Sequence, residues 1–414
     1  MSNRREFLKI AAGAGVFASV PAVLAGAARP RGKGEVARAA SRPVLRRELL
    51  TSPLKIESIE LLRNGTDYFV RTRTGDGAEG IAASHSLKMA SFYPIFLRNL
   101  SPFFIGKDAR DLEQLIASVY VHESNYKMQG QAFWVCLASL EFSLLDLMGK
   151  VAGRPVGGVL GDIVRTSVSV YQASNRRGNS PEDEVDRLAR ALAENGAKAA
   201  KIRLGGRMSN NADSLPGRTE ALIPLARKVL GDTITLYGDS NGSFDVPHSI
   251  RVGRIMEQHG YSFLEEPCPF DHYEETREIA EALDIPIAGG ECEASLRQFQ
   301  WMIEHDVVQV VQPDLFYFGG LIRAVRVARM ADVAGKPCTV HISGGDLGYL
   351  YMLHFASCVP NIGPFQEFKR ETKIPLTEPD LLKSVAGIVK IPPGPGLGVT
   401  IDPSYLSKSR VVQL

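Results

Sequence analysis

The amino-acid sequence predicts an α/β protein, a (β/α)7β barrel of the TIM type with an N-terminal α+β capping domain that the C-terminal segment completes. Three observations carry this prediction. From Thr166 onward, short β-branched runs alternate with amphipathic stretches, and seven or eight such units fit into about 210 residues. A meander-like pattern comes before these units. A turn-rich segment, residues 392–398, comes after them and is expected to lead the chain back to the first domain.

The capping domain is predicted over residues 54–162. Alternation of apolar and polar residues predicts its strands, at 56–61, 68–72 and 80–83. Turn residues separate the strands, at 64–65 and 75–77. Helical periodicity predicts the helices that follow, at 92–97, 112–120 and 133–148. A meander followed by helices indicates an α+β domain.

The barrel is predicted over residues 163–385, and residues 386–414 are predicted to return to the cap. Apolar or β-branched runs predict the barrel strands, at 167–172, 201–204, 233–238, 262–265, 285–289, 307–311, 339–342 and 365–368. Helical spacing fills most of the intervals, as with Val185, Leu188 and Leu192. Strands that alternate with helices form parallel sheets, and this number of units closes a barrel.

Residues 1–27 are predicted to be an export signal. The stretch from Arg4 to Lys9 (RREFLK) resembles the twin-arginine motif, and a mildly apolar run continues to about Leu24. The run is too short for a spanning helix, so no stable membrane insertion is expected. A basic amphipathic helix is the alternative. The expected location is the periplasm, and residues 28–53 are predicted to be a solvated, arginine-rich linker.

The composition excludes several classes of protein. Residues 1–50 hold ten Lys/Arg and three Asp/Glu, so the rest of the chain holds 38 basic and 43 acidic residues. The body is therefore slightly acidic, which argues against a nucleic-acid partner. The five cysteines are odd in number and have no paired short spacing. They therefore predict buried thiols rather than a disulfide framework or a zinc site.

Polar residues stand at the ends of successive predicted barrel strands. From Asp239 onward the leading positions are 26, 26, 23, 27 and 26 residues apart, about one βα unit each, at Asp239, Glu265, Glu291, Asp314, His341 and Glu367. Lys201, Arg203 and Asn241 stand at the same ends of the earlier strands. Barrels of this type place their active sites at the C-terminal ends of the strands. The sequence therefore predicts an active site on one rim.

Three carboxylates on that rim predict a cation. Asp239, Glu265 and Glu291 each end an apolar run, and converging carboxylates repel one another unless a positive ion neutralises them. Oxygen ligands suit a hard ion, and Mg²⁺ keeps positions open for substrate oxygens. For any one acid, a plain helix-cap or loop position is the alternative. The spacing of all three favours the Mg²⁺ site.

His341 is predicted to be a base, with Asp314 as its orienting partner. Removal of a proton next to a carboxylate generates an enediolate, whose developing charge a divalent ion stabilises. A positioned base must take that proton, and a carboxylate that bonds the histidine ring raises the ring's basicity. A satisfied core histidine is the alternative for His341.

These residues and motifs together resemble the enolase superfamily, and within it the mandelate racemase and muconate lactonizing subgroup. The resemblance covers about residues 54–405. It is carried by an ordered set of motifs, at 133–161 (ASLEFSLLDLMGK with GRPV and LG), Lys201–Arg203, 238–242 (GDSNG), 264–267 (LEEP), 290–291, Asp314 with 319–320, His341, 366–368 (QEF) and 395–399 (PGLGV).

The resemblance implies roles for further residues. Lys201 would contact the substrate carboxylate, and Glu367 would hydrogen-bond one of its oxygens while protonated or sharing a proton. Asn241 would also bind substrate. In the cap, the loop from Ser84 to Tyr93 would touch the substrate through His85 and Tyr93, although an exposed loop position is the alternative for His85. The resemblance also implies a homo-oligomer, a dimer or an octamer.

Arg203 departs from the pattern of that superfamily, which usually has a second basic lysine at this position. A guanidinium stays protonated across physiological pH, so it is a poor base and a good clamp for a carboxylate or hydroxyl. With His341 as the strong base, proton removal from one face is favoured. Loss of a β-hydroxyl would follow, which predicts dehydration of a sugar acid to a 2-keto-3-deoxy acid.

Two other functions stay open. Lys201 could be a second base, which would make the protein a racemase, an epimerase or a cycloisomerase acting on a related carboxylate. A non-catalytic protein that binds sugar acids is a third possibility, against which the metal ligands and the histidine–aspartate pair argue.

Overall fold

A computed structural model describes residues 34–368 and 372–414. Its N-terminal part consists of one helix and an antiparallel meander. They are α1 (Glu35–Ser41), β1 (Ile56–Asn64), β2 (Asp67–Thr74) and β3 (Glu79–Ala83). Gly65, between β1 and β2, has φ +58°, the left-handed conformation that a tight hairpin needs. The predicted export signal at 1–27 lies outside the described residues.

Five helices follow the meander. They are α2 (Ser86–Ile95), α3 (Ser101–Phe104), α4 (Leu112–Val121), α5 (Gln131–Val151) and α6 (Val156–Leu160), with a π-helical turn at Phe96–Leu100. Helix α5 is long and apolar enough to cross a membrane, and 94% of its most apolar window is buried in the protein. A Cβ on Gly80 of β3 would lie 2.0 Å from the Ser143 carbonyl oxygen. Glycine therefore lets the meander pack directly on α5.

Strands and helices then alternate. The elements are β4 (Ser167–Ala173), α7 (Pro181–Asn195), β5 (Ala199–Arg203), α8 (Arg218–Leu230), β6 (Thr235–Asp239), α9 (Val246–Gln258), β7 (Phe263–Glu265), α10 (Tyr273–Ala282), β8 (Ile287–Gly289), α11 (Leu296–Glu304), β9 (Val310–Val311), α12 (Leu321–Val333), α13 (Gly348–Cys358) and β10 (Gln366–Phe368). Side chains from both faces of the strands are buried, as the covered strands of a parallel sheet require.

The strands form one curled sheet in the order β10-β4-β5-β6-β7-β8-β9, and each pairing along it is parallel. Parallel bridges continue past β9, from Val311 to Cys338 and from Asp314 to His341. The Ile342 amide donates to Glu367 of β10 over 3.3 Å, so side-chain contacts carry the last step of the ring. The predicted strand at 339–342 forms these bridges rather than a full strand.

The C-terminal segment contains β11 (Ile388–Lys390), α14 (Pro403–Leu406) and β12 (Arg410–Val411). Strand β11 pairs antiparallel with β4, and β12 pairs antiparallel with β1 through Leu62 and Val411. The chain thus returns to the meander, which becomes a four-stranded sheet. The predicted fold class, an α/β barrel with a cap that the C-terminal segment completes, is confirmed, whereas the predicted domain boundaries stay predictions.

The prediction of a solvated linker at 28–53 does not hold for residues 34–50, which pack against the protein, whereas residues 51–53 are exposed. Helix α1 packs against α12, and Val36, Val44 and Leu50 are buried. The amides of Val44 and Leu45 both donate to one oxygen of Glu113, over 2.8 and 2.7 Å. Apolar residues interleaved with arginines provide this packing, because the apolar side chains are buried whereas most of the arginines are exposed. We call residues 34–50 the N-terminal strap.

A buried acid joins the cap to the barrel. Glu141 of α5 is fully buried and accepts from the Ile322 amide at the start of α12 over 3.0 Å. Burial raises the pKa of Glu141 to about 8, so the carboxyl is largely protonated near neutrality. Gly320 makes room for it, since a Cβ there would lie 2.4 Å from the carboxyl group. Glu141 therefore caps α12 from the neighbouring domain.

Candidate active site

The register of the parallel strands brings the predicted rim residues side by side. Arg203 is the pairing partner of Asp239, and Asp239 is the pairing partner of Glu265. Asp314 forms a bridge with His341 on the other side of the ring. Equal spacing along the chain thus becomes adjacency at the strand ends, because each unit adds one strand in the same direction.

The three predicted ligands converge. One oxygen from each of Asp239, Glu265 and Glu291 lies within 4.8 Å of the others. Asp239 and Glu265 are buried, and the Glu291 side chain is 14% exposed. Buried carboxylates this close, all offering oxygen, fit a hard divalent cation with one side open to a substrate. Glu266, Glu291 and Cys292 form a second, overlapping group of the same kind, in which the thiol is a poorer donor for such an ion.

Lys201 lies beneath the triad, fully buried. Its Nζ donates to both oxygens of Glu265 over 2.8 Å and lies 3.6 Å from Asp239 Oδ2 and 3.7 Å from Glu367 Oε1. Burial lowers the pKa of Lys201, but the opposing negative charges, that of Glu265 first, outweigh burial and raise it. The ammonium is therefore held in its charged form, as a cation beside the acids.

Asn241 connects the neighbouring polar groups. Its Oδ1 accepts from Arg203 Nη1 over 3.2 Å, and its Nδ2 donates to Glu266 Oε2 over 3.2 Å. Arg203 also forms an ion pair with Asp239 and donates to the Ser174 carbonyl over 2.9 Å. Asn241 has φ +41°, a strained conformation typical of functional sites. Arg203, a predicted substrate clamp, thus has the metal-site acid as its partner in this structure.

Glu266 is a buried acid that follows Glu265 at the end of β7. Burial, followed by the charge of Glu291, raises the pKa of Glu266 well above its ordinary value. Its backbone has φ +43°, like that of Asn241 one strand earlier. The double acid in the motif LEEP was the available signal for this residue.

His341 and Asp314 form a close pair. Nδ1 of His341 lies 2.7 Å from Asp314 Oδ2. The same carboxylate accepts from the amides of Phe316, Tyr317 and Ser343 over 2.7–2.8 Å. Several donors hold Asp314 as an acceptor, so the Nδ1 of His341 carries the proton and Nε2 is left as the basic nitrogen.

The basic nitrogen of His341 faces the acids. Nε2 lies 3.3 Å from Glu291 Oε2 and 3.7 Å from Glu367 Oε2. Glu367 is fully buried between His341 and Lys201. One base therefore stands on one side of the triad, and the cationic pair Lys201 and Arg203 stands on the other.

The structure brings His85 to this area, whereas the substrate contact predicted for Tyr93 stays a prediction. His85 is buried, stacks on Tyr317 at 5.8 Å and meets Phe316 edge-on at 5.4 Å. Burial lowers the pKa of His85 to about 4, so its ring is neutral at pH 7. A cavity of about 420 Å³ lies between the cap and the barrel, lined in part by Ser84, His85, Ser343 and Asp346. Tyr93 is not among the lining residues and packs half-buried against the apolar core.

The rim and the cap together define a class of protein. A curled parallel sheet carries three acids, a histidine–aspartate pair and buried cations at the C-terminal ends of its strands, and a second domain lies over them. This arrangement is typical of a barrel enzyme, and the three acids could hold a divalent cation.

Comparison with known proteins agrees with this class. The family described as enolase C-terminal domain-like matches residues 183–405. A curated relative, the arabinonate dehydratase of Saccharolobus solfataricus, is 27% identical over 333 residues, which are 79% of this chain and 86% of the relative.

Two solved structures extend the comparison over most of the chain. A protein of Roseobacter denitrificans described as a candidate racemase is 33% identical, with a TM-score of 0.80, over 86% of this chain and 98% of that one. A mandelate racemase/muconate lactonizing protein of Paracoccus denitrificans, complexed with magnesium, is 27% identical, with a TM-score of 0.79, over 87% of this chain and 99% of that one.

The chain belongs to the enolase superfamily, and within it is similar to the mandelate racemase and muconate lactonizing proteins. It is therefore an enzyme. Members of this superfamily use one or two Mg²⁺ ions together with a lysine or histidine base.

Proposed function

We propose that this enzyme removes the α-proton of a sugar acid in a Mg²⁺-dependent reaction and then eliminates a β-hydroxyl, giving a 2-keto-3-deoxy acid. The observation that carries the proposal is the placement of one oriented base, His341, across the acid triad from a lysine and an arginine. The similarity to the arabinonate dehydratase of Saccharolobus solfataricus supports the reaction type.

The metal site would consist of Asp239, Glu265 and Glu291. When bound, Mg²⁺ would supply positive charge beside the substrate carboxylate, which makes the neighbouring C–H bond more acidic. Lys201 would hold the same carboxylate through its ammonium. Glu367, fully buried between Lys201 and His341, would hydrogen-bond one carboxylate oxygen by sharing a proton with it.

His341 would then carry out both proton transfers. Its Nε2 takes the α-proton, and the electron pair of the C–H bond passes into an enediolate. The C2–C3 double bond forms as the C3–oxygen bond breaks, and the protonated His341 returns its proton to the departing hydroxyl, which leaves as water. Tautomerisation of the enol gives the 2-keto acid. Arg203 cannot act as a base, so delivery of a proton to the opposite face is disfavoured.

An isomerase is the second candidate, favoured by one neighbour's description as a candidate racemase and by the position of Lys201 opposite His341. Lys201 would then need to give up its proton to serve as the second base. The two outcomes differ in the product, because a racemase or epimerase in D₂O gives the inverted, deuterium-labelled acid whereas a dehydratase gives a keto acid and water.

The test is a panel of aldonic and aldaric acids incubated with the enzyme and Mg²⁺ in D₂O. We expect formation of a 2-keto acid from one acid or a few stereochemically related acids, detected by its carbonyl chemistry and by NMR. Recovery of inverted, deuterium-labelled substrate without keto acid would replace the dehydratase by an isomerase. No proton exchange with any acid in the panel would contradict the proposed function.

We propose further that residues 1–27 direct export to the periplasm by the twin-arginine route. The support is the motif at 4–9 (RREFLK) and the run that follows it. Replacing both Arg4 and Arg5 with lysine should leave the enzyme in the cytoplasmic fraction of a host with this pathway, whereas unchanged periplasmic recovery would contradict the proposal.

The protein is also proposed to be a homo-oligomer, which light scattering on the purified enzyme would test.

A further inference from the structure

Arg177 is a rim residue for which the reaction above has no use. It lies in the loop between β4 and α7, and its Nη2 donates to Asn241 Oδ1 over 2.6 Å and to the Asp239 carbonyl over 3.4 Å. Arg203 donates to the same Asn241 oxygen. Two guanidinium groups therefore share one neutral acceptor directly beside the metal-site acids.

The guanidinium of Arg177 has unused donor capacity. Both of its hydrogen bonds use Nη2, so Nη1 and the buried Nε have no hydrogen-bond partner among the described residues. A buried N–H group without an acceptor is costly, and native proteins usually satisfy such groups with protein, water or ligand. The side chain of Arg177 as a whole is half-buried, whereas that of Arg203 is buried. Arg177 is thus the more exposed of the two arginines that donate to Asn241.

The charges around Arg177 are mostly positive. Arg203, Arg207 and Arg218 all repel it, and Glu291 supplies opposing negative charge. Arg203 has Asp239 as its counter-ion, and Arg218 has Glu184 and Asp213 nearby. Glu291 is a proposed cation ligand, so a bound cation would take up its charge. Arg177 and Arg207 would then leave positive potential uncompensated at this edge of the site.

The loop that carries Arg207 is fixed in an unfavourable conformation. Arg207, Met208, Asn210 and Asn211 all have positive φ, between +48° and +70°. The amide of Met208 bonds the Asn241 carbonyl over 2.9 Å, which holds the loop against the same strand end. Residues held in such conformations cluster at binding sites. The exposed Arg207 is thereby kept near Arg177.

We propose that Arg177, assisted by Arg207, binds a second anionic group at the far end of the substrate, so that the enzyme prefers a dicarboxylic sugar acid to the monocarboxylic acid of the same chain. The inference rests on the proposed function, because it names the substrate class of that site. In this proposal the first carboxylate of the substrate meets Lys201, and the far end of the substrate meets the more exposed Arg177 beside Asn241. A planar guanidinium matches a terminal carboxylate with two parallel hydrogen bonds.

The test measures binding directly, in the His341→Asn background, so that the acids stay unreacted. Isothermal titration in the presence of Mg²⁺ would compare hexaric and hexonic acids of the same stereochemistry, galactaric with galactonic and glucaric with gluconic. We expect one hexaric acid to bind at least tenfold more tightly than its hexonic partner. Arg177→Gln should abolish this preference and leave the affinity for the hexonic acid unchanged.

Matched variants separate this role from a structural one. Arg176→Gln removes the neighbouring, exposed arginine and should leave the preference intact. Arg177→Lys keeps the charge, loses the paired geometry and should retain part of the preference. Circular dichroism and thermal melting would show that each variant is folded, and the lysine variant provides the test if the glutamine variant is not.

The outcomes distinguish this inference from the proposed function. Equal binding of the hexaric and hexonic acids, or an equal loss of both in Arg177→Gln, would overturn the inference and leave the proposed function standing. A preference for 6-phosphogluconic acid that Arg177→Gln removes, without a preference for hexaric acids, would overturn the assignment to a diacid. If no acid bound although Mg²⁺ did, both proposals would fall.

Discussion

We expect His341→Asn to lower the rate of α-proton removal by about 1000-fold, the usual contribution of a positioned general base. Asparagine retains an N–H that can donate to Asp314, so the hydrogen-bonded framework around the amides of Phe316 and Ser343 is preserved. It has no basic nitrogen, the Lys201 ammonium is held in its charged form by the acids beside it, and a guanidinium such as that of Arg203 is a poor base. The measurement is the single-turnover rate of deuterium exchange or keto-acid formation with saturating substrate.

The control for this variant is His305→Asn, since His305 is an exposed histidine at the C-terminal end of α11. Its rate should equal that of the wild-type enzyme. Titration with Mg²⁺ should show that His341→Asn binds the cation as the wild-type enzyme does. A rate for His341→Asn within tenfold of wild type would show that the base lies elsewhere.

The second large effect is expected for the metal site. Glu291→Gln should lower the affinity for Mg²⁺ by about 100-fold or more, and activity should fall with it, because a neutral amide replaces one of three charged ligands. Of the three acids, Glu291 is the least buried and has no lysine or arginine as a direct ion-pair partner in the structure's described residues. Its substitution therefore disturbs the fold least. Titration calorimetry with Mg²⁺, and with Mn²⁺ as a spectroscopic probe, measures the affinity.

Glu266→Gln is the matched control, because Glu266 lies next to the triad and belongs to the second acidic group. If the cation lies among Asp239, Glu265 and Glu291, this variant should bind it with nearly the wild-type affinity. A loss in Glu266→Gln as large as that in Glu291→Gln would place the cation in the group formed by Glu266, Glu291 and Cys292.

The sequence predicts the site residues at the strand ends better than those in the surrounding loops. Asp239, Glu265 and Glu291 could be placed together because the period of the barrel unit converts equal spacing into adjacency. Arg177 gave no such signal, since it stands in a loop four residues beyond its strand and loop geometry has no period. Its significance depends on Asn241 and Arg203, which only the folded chain brings to it.

The N-terminal strap shows a different limit of prediction from sequence. Arginines at 38, 42, 46 and 47 dominate the composition of this segment and favour a solvated interpretation. The few apolar residues among them decide its structure, because α12 presents a surface for Val36 and Glu113 presents an acceptor for two backbone amides. Such a segment has little local preference, and tertiary contacts determine its conformation.

The contact between α5 and α12 that Glu141 makes has a consequence for turnover. Separating α5 from α12 would strand a carboxyl group and the first amides of a helix in an apolar setting, and such unpaired groups are costly. Substrate and product must therefore enter and leave while α5 and α12 stay in contact. The cavity between the cap and the barrel, lined in part by Ser84, His85, Ser343 and Asp346, offers a route that leaves α5 and α12 together. Substrate and product would then pass through a small opening beside the cavity, and turnover would not require the cap to separate from the barrel.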